Sequence, residues 1–241
     1  MKNVYRVARW LCAALFLPAC TLTTDLTSGD PALAARRERV NIAYGAGKTL
    51  ALTVIRTGAS SNAPLIIALP PGDGGQALVD VVLDLYWQAE AERRGFVVVA
   101  PAIFGLQLRD DADTVFAALF DWLDANVEYD PARVVLAGAS NGGRGMFYAA
   151  LASPNRFAAL LGLPAYYDGD AADLAPWEGK PVRLLVGELD TTWQGFTFET
   201  AAKLEQAGAA VSTRVVPDQP HIIRVEPAEL FDWIESVVPA P

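Results

Sequence analysis

Basic charge, cysteine, histidine and long apolar runs are all scarce in this 241-residue sequence. Its 19 Lys and Arg face 28 Asp and Glu, a net charge of −9, and no basic run interrupts that balance. A surface of this sign repels polyanions, which disfavours nucleic acid and anionic membrane surfaces as partners. The only two cysteines are Cys12 and Cys20. If both leave the thiol pool during export, the remaining chain has no disulfide and no thiolate catalyst, and its stability must come from its core. The first apolar run, Trp10 to Ala19, is about half the roughly 20 residues that a membrane-spanning helix requires.

What stands at the N-terminus is an export signal, because Lys2, Arg6 and Arg9 precede that uncharged run. The run ends in "LPAC", where Leu17, Ala19 and Cys20 resemble the lipobox of bacterial lipoproteins. The resemblance implies cleavage after residue 19 and lipidation of Cys20, with a plain secretory signal and a free periplasmic or secreted protein as the alternative. Thr21 resembles the residue of lipoproteins sent onward to the outer membrane. Residues 1–19 are therefore expected to be a signal peptide, 20–37 a Thr-rich tether without periodicity, and 38–241 one domain. Removing the signal leaves 16 basic side chains against 28 acidic ones.

A hydrophobic content of 52% and about 200 residues suit one well-buried core. Apolar runs "LALTVI", "LIIAL", "FVVVA", "VVLA", "VRLLV" and "VSTRVV" alternate with helical patterns over 78–94, 111–126 and 143–152. Near-continuous apolar strands alternating with helices predict an α/β fold, with a mostly parallel central sheet and helices on both faces. Leu78, Val81, Val82, Leu85 and Ala89 fall at helical spacing, as do Val115, Leu119, Trp122 and Leu123, and both stripes are expected in the core. The segment 39–55 reads as an edge hairpin turning at Gly45 to Gly47.

Within this pattern, "VVLAGASNGG" places Ser140 between Gly138 and Gly142. G-x-S-x-G arises by chance in about one chain in ten of this length, so its setting decides. Here it follows a buried strand and opens a helix, which is the strand-turn-helix context of a nucleophile elbow. A serine hydroxyl needs a base to take its proton, and the single histidine, His221, lies after the last strand. A carboxylate is then needed to orient the imidazole. "VRLLVGELD" offers Asp190, with Glu188 as alternative, and Asp218 is a weaker candidate only three residues from His221.

These residues resemble the α/β-hydrolase superfamily over nearly all of 38–241. The nucleophile region resembles the branch of polyhydroxybutyrate depolymerase-like and feruloyl-esterase-like serine esterases, with Asp130 and Arg133 before the strand, the G-x-S-x-G-G elbow, and Pro154 and Phe157 after the helix. The resemblance implies hydrolysis of carboxylic esters, small-molecule or polymer-borne, through an acyl-enzyme, with Ser140, Asp190 and His221 as triad and neither metal nor organic cofactor. It also implies that "PPGDGG", where Pro71 stands in place of the relatives' histidine, forms the oxyanion loop. Its donors would be the backbone amides of Asp73 (or Gly74) and Asn141. No G-K-[ST] comes after it, so a phosphate-loop reading of the same stretch fails. Fewer than about twenty residues separate the strands near 162 and 181, too few for a large lid. Phe104, Tyr166, Tyr167, Trp177, Trp193 and Phe196 are expected in loops that either line a cleft or pack its rim. A peptidase of the same fold is the second reading, disfavoured because no added recognition domain fits the length. A third is an inactive binding lipoprotein.

Overall fold

A computed structural model describes residues 36–57 and 62–239. The signal, Cys20 and nearly all of the tether lie outside the described residues. Eight strands form one sheet: β1 (Glu38–Tyr44), β2 (Lys48–Ile55), β3 (Leu65–Leu69), β4 (Val97–Ala102), β5 (Val134–Gly138), β6 (Ala159–Gly162), β7 (Pro181–Gly187) and β8 (Ala210–Val216). Their order is β1-β2-β4-β3-β5-β6-β7-β8. β1 and β2 form the expected edge hairpin, closing at Tyr44 and Lys48. β2 runs antiparallel to β4, and every pairing from β4 onward is parallel.

Strand β3 shows why both faces of the sheet are covered. Leu65, Ile67 and Leu69 enter one core while Ile66 and Ala68 enter the other. Side chains alternate along a strand, so a run that is apolar at every position can be buried only between two layers. The first layer is α3 (Leu108–Asn126), α4 (Asn141–Ala152) and α5 (Thr191–Gln206). The second is α1 (Gln76–Val82) and α2 (Gln88–Arg94), joined by a π-helical turn at Leu83–Trp87, together with α6 (Pro227–Val237). In that layer Phe96 and Phe231 meet edge to face, with ring centroids 5.0 Å apart. Burying each such side chain contributes about 2–3 kcal/mol.

Two expectations change here. The stripe Leu78, Val81, Val82, Leu85, Ala89 is not a core stripe: Val82 is buried, Leu78, Val81 and Leu85 are half-buried, and Ala89 is exposed. Val79, Leu83, Tyr86 and Trp87 fill the core in their place. Leu78 and Val81 lie one position off the buried face of α1, and the π turn at 83–87, which adds a residue to its helical turn, carries Ala89 beyond it out of the 3.6-residue phase. The tether boundary also moves. Arg37 is buried, with its guanidinium donating to Gln88 Oε1 at 2.8 Å, to Asp80 Oδ1 at 3.1 Å and to Asp84. Partners more than 40 positions away leave no periodic trace around residue 37.

Arg37→Ala would leave Asp84 against an emptied site, while Asp80 keeps Arg39 at 3.0 Å. Breaking a fully buried pair costs about 3–5 kcal/mol. These carboxylates keep 31% and 28% of their exposure, so a loss of about 2 kcal/mol is expected, read as a lower urea midpoint at unchanged m-value.

Candidate active site

Ser140 leaves the end of β5 with φ 55° and ψ −119° and caps the N-terminus of α4. A non-glycine residue in this region costs about 1–3 kcal/mol and persists only where its surroundings hold it. They do so from three directions. Ser140 N donates to Pro164 O at 2.9 Å, Ala139 N to Leu69 O at 3.2 Å, and Gly142 N to Ala139 O at 2.8 Å. Gly142 is required by a close approach: a Cβ there would lie 2.4 Å from the carbonyl oxygens of both Leu69 and Pro70. The glycine thus lets α4 start against the end of β3, which carries the loop 70–75.

Ser140 Oγ lies 2.7 Å from His221 Nε2, and His221 Nδ1 lies 2.5 Å from Asp190 Oδ2. A carboxylate only accepts, so Nδ1 carries the proton and Nε2 faces the hydroxyl as acceptor. Ser140 is 7% exposed, the Asp190 side chain 11% and the His221 side chain 36%, which leaves one edge of the imidazole open to solvent. Asp190 follows β7, caps α5 and accepts from Trp193 N at 3.3 Å. The Trp193 ring lies 4.7 Å from the imidazole.

The three candidate acids therefore part company. Only Asp190 meets the imidazole. Glu188 instead accepts the Asp218 amide at 2.9 Å, and Asp218, at φ 58°, turns the loop that leads to His221.

The loop after β3 comes to the same place. Asn141 Nδ2 donates to Gly72 O at 3.0 Å and so ties this loop to the start of α4. The Gly74 amide is engaged by Pro71 O at 3.1 Å. Among the described residues the backbone amides of Asp73 and Asn141 donate to no protein group. The N-terminus of α4, with the free Asn141 amide and its positive dipole end, favours negative charge beside Ser140.

The expected aromatic cleft divides. Tyr167 and Trp177 are core residues, 7% and 0% exposed. Tyr166 stacks against Trp193 and Phe196 with centroids 4.9 and 4.8 Å away, and the latter two sit on α5 rather than in a loop. Arg144 lies over Tyr166 at 4.8 Å and pairs with Asp168 at 3.0 Å. Asp168 also binds Arg109 and the Tyr148 hydroxyl. Burial raises its pKa, but Tyr148 and the two guanidiniums outweigh that and hold the carboxyl below its ordinary value. Between β6 and β7 the chain forms only a short 3-10 segment, Ala171–Trp177, anchored by buried Leu174 and Trp177.

On the other side of Ser140 lies a cavity of 210 Å³ that sequence reasoning missed, lined by Leu78, Val81, Val82, Leu85, Tyr86 and Ile222 beside Ser140 and His221. Its signal was the apolar stripe of α1. That stripe shows an apolar helix face without showing whether the face meets a sheet or a space.

Residues 109–211 match the model of the Esterase family ("Putative esterase"). No curated protein matches the sequence. Among solved structures, a thermostable esterase is similar with TM-score 0.71 at 16% identity, over 85% of this chain and 64% of that one. The esterase of Pyrobaculum calidifontis gives 0.60 at 15%, over 84% and 85%. The acylaminoacyl peptidase of Pyrococcus horikoshii gives 0.59 at 13%, over 84% and 41%. The chain thus spans less than two thirds of the first structure and about two fifths of the peptidase. The fold is that of the α/β-hydrolases.

Gly142→Ala would force the helix away from β3, because the new Cβ meets backbone oxygens that cannot rotate aside. Overpacking of this kind costs about 1–3 kcal/mol, and a drop of that size in unfolding free energy is expected in urea.

Proposed function

We propose that this α/β-hydrolase is a serine esterase that cleaves carboxylic esters through an acyl-enzyme. The observation that carries the reading is the unbroken hydrogen-bonded series Ser140 Oγ, His221, Asp190, with the serine on a strained turn. Ser140 Oγ attacks the ester carbonyl as His221 Nε2 takes its proton. His221 then gives that proton to the departing alkoxide oxygen, and the acyl group stays on Ser140. Water enters from the exposed edge of the imidazole and attacks the acyl carbonyl as Nε2 takes its proton; the bond to Oγ then breaks, Nε2 returns the proton to Oγ, and the acid leaves. Asp190 keeps the proton on Nδ1 and stabilises the imidazolium.

The backbone amides of Asp73 and Asn141, both without another acceptor, are the proposed donors to the oxyanion, each typically worth about a hundredfold to a thousandfold in rate. The match of the nucleophile region to an esterase family supports the ester bond as substrate. An aminopeptidase would need an acid for the substrate's amino group. Asp168, the carboxylate bordering the aromatic group, already serves Arg109, Arg144 and Tyr148. The proposal includes anchoring at the cell envelope through lipidated Cys20, as the N-terminal signal suggests.

Purified protein is expected to hydrolyse p-nitrophenyl acetate, to leave aminoacyl anilides intact, and to label at serine with a fluorophosphonate. Ser140→Ala should abolish labelling. Asp190→Asn should lower kcat about ten-thousandfold. Glu188→Gln still accepts the Asp218 amide and should cost less than about tenfold. A reversed order of the last two would make Glu188 the acid, and absent labelling of the wild type would make the protein an inactive binding form. In a bacterial host, Cys20→Ser should move the protein from the membrane to the soluble fraction and end its labelling by radioactive palmitate.

A further inference from the structure

We infer that the cavity beside Ser140 receives the acid half of the ester and selects an uncharged, unsubstituted apolar acyl group, aliphatic or aryl, of about six carbons. The inference rests on the esterase reading and adds to it which half of the substrate is recognised and by what.

Size comes first. An aliphatic cavity of about 150 Å³ holds a benzene ring. At 210 Å³, this one has room for a ring on a short spacer or for a straight chain of about six carbons. Its wall is the face of α1 and the π turn that bears Leu78, Val81 and Leu85, half-buried side chains of which Leu85 also packs against the second core.

Polarity comes second. Apart from Ser140 and His221, the cavity's one polar side chain is Tyr86, and its hydroxyl already donates to Ile223 O at 2.7 Å. Burial also raises the pKa of that phenol, so it supplies no charge. A hydroxyl, amine or carboxylate on the acyl chain would lose its water and find no partner, a loss of about ten- to a hundredfold in affinity. Hydroxyacyl and aminoacyl esters are therefore disfavoured, along with peptides.

The assignment to the acid half comes from the task of each half. The acyl group stays bonded to Ser140 between the two steps, whereas the alcohol must leave and water must arrive beside Nε2. The cavity is a recess floored by buried Val82 and Tyr86, with half-buried Leu78, Val81 and Leu85 along its partly open side. The other side of His221 is open, bordered by Trp193, Tyr166 and Phe196, the last 41% exposed. A recessed apolar space suits the half that remains and an open rim suits the half that departs.

The test is kcat/KM for p-nitrophenyl esters from acetate to dodecanoate, for 6-aminohexanoate beside hexanoate, and for acetates of lengthening alkyl alcohols. Rates should rise by about fourfold per methylene up to about hexanoate and then level or fall. The 6-amino ester should react at least tenfold more slowly than hexanoate, and the alcohol series should be nearly flat. Val81→Trp should lower the hexanoate-to-acetate ratio at least tenfold, and Leu85→Ala should move the optimum to longer chains. A steep alcohol series with a flat acyl series overturns the inference while leaving the esterase reading intact. So do ratios unmoved by both substitutions in variants that still take a fluorophosphonate. A protein that labels but cleaves no ester overturns the esterase reading, and this inference with it.

Discussion

Ser140 holds φ 55° against a cost of about 1–3 kcal/mol, and separate chain segments supply the contacts that keep it there. Pro164, after β6, accepts its amide; Leu69, ending β3, accepts the amide of the residue before it. Gly142 removes the side chain that would keep β3 and α4 apart. Because β3, β5 and β6 are neighbours in the sheet, those contacts are a product of strand order rather than of local sequence. Parallel strands bring their carboxyl ends to one edge, and at that edge the two helical layers diverge. The sharp turn points the hydroxyl out of the sheet into that gap, where the loops after β3, β7 and β8 reach it. Relaxing Ser140 to an ordinary helical or extended conformation would swing Oγ away from Nε2.

The two sides of the serine differ in kind. On one side α1 supplies aliphatic side chains and a recessed apolar space. On the other, α5 and the segment after β6 supply stacked rings with cations at their edge: Arg144 over Tyr166, and Arg109 over Tyr148. The balance of these cations against Asp168 keeps that side polar at its border although its rings are apolar. Such a surface tolerates varied groups through stacking, whereas the aliphatic side discriminates by size and by the lack of polar partners.

Much of this was legible in the residues. Uninterrupted apolar strands announce a sheet buried on both faces, and the edge hairpin shows itself through Gly45 and Gly47. The serine's setting and the lone histidine after the last strand draw the eye to residues that the structure brings within hydrogen-bonding distance. The features that stayed hidden did so for physical reasons. The stripe of α1 is apolar whether it meets a sheet or a space, so a pocket wall looked like core, and the π turn at Leu83–Trp87 carries Ala89 out of its period. Tyr167 and Trp177 looked like rim residues because aromatic rings suit both rim and core, and only the packing of the segment before β7 decides. Arg37 looked like tether because its partners on α1 and beyond lie far along the chain.

The loop that bears His221 shows what separates Asp190 from the two other acids near it. His221 belongs to no helix or strand, so its imidazole is positioned by bonds between loops. Leu189 N donates to Gln219 O at 2.9 Å, Arg224 N to Gln219 Oε1 at 2.9 Å, and Asp218 N to Glu188 at 2.9 Å. The first and last of these join the loop after β7 to the loop after β8 just before the histidine, and the second closes the latter loop around it. Glu188 and Asp190 are two residues apart, and in extended chain that spacing would point them the same way. Here Asp190 instead begins a helix, and capping α5 turns its carboxylate inward, where Oδ1 takes the Trp193 amide and Oδ2 takes the imidazole. Glu188, still at the strand's end, is left to reach across to Asp218. The division of labour between the two carboxylates thus comes from where β7 stops and α5 starts, a boundary that side-chain chemistry alone does not mark.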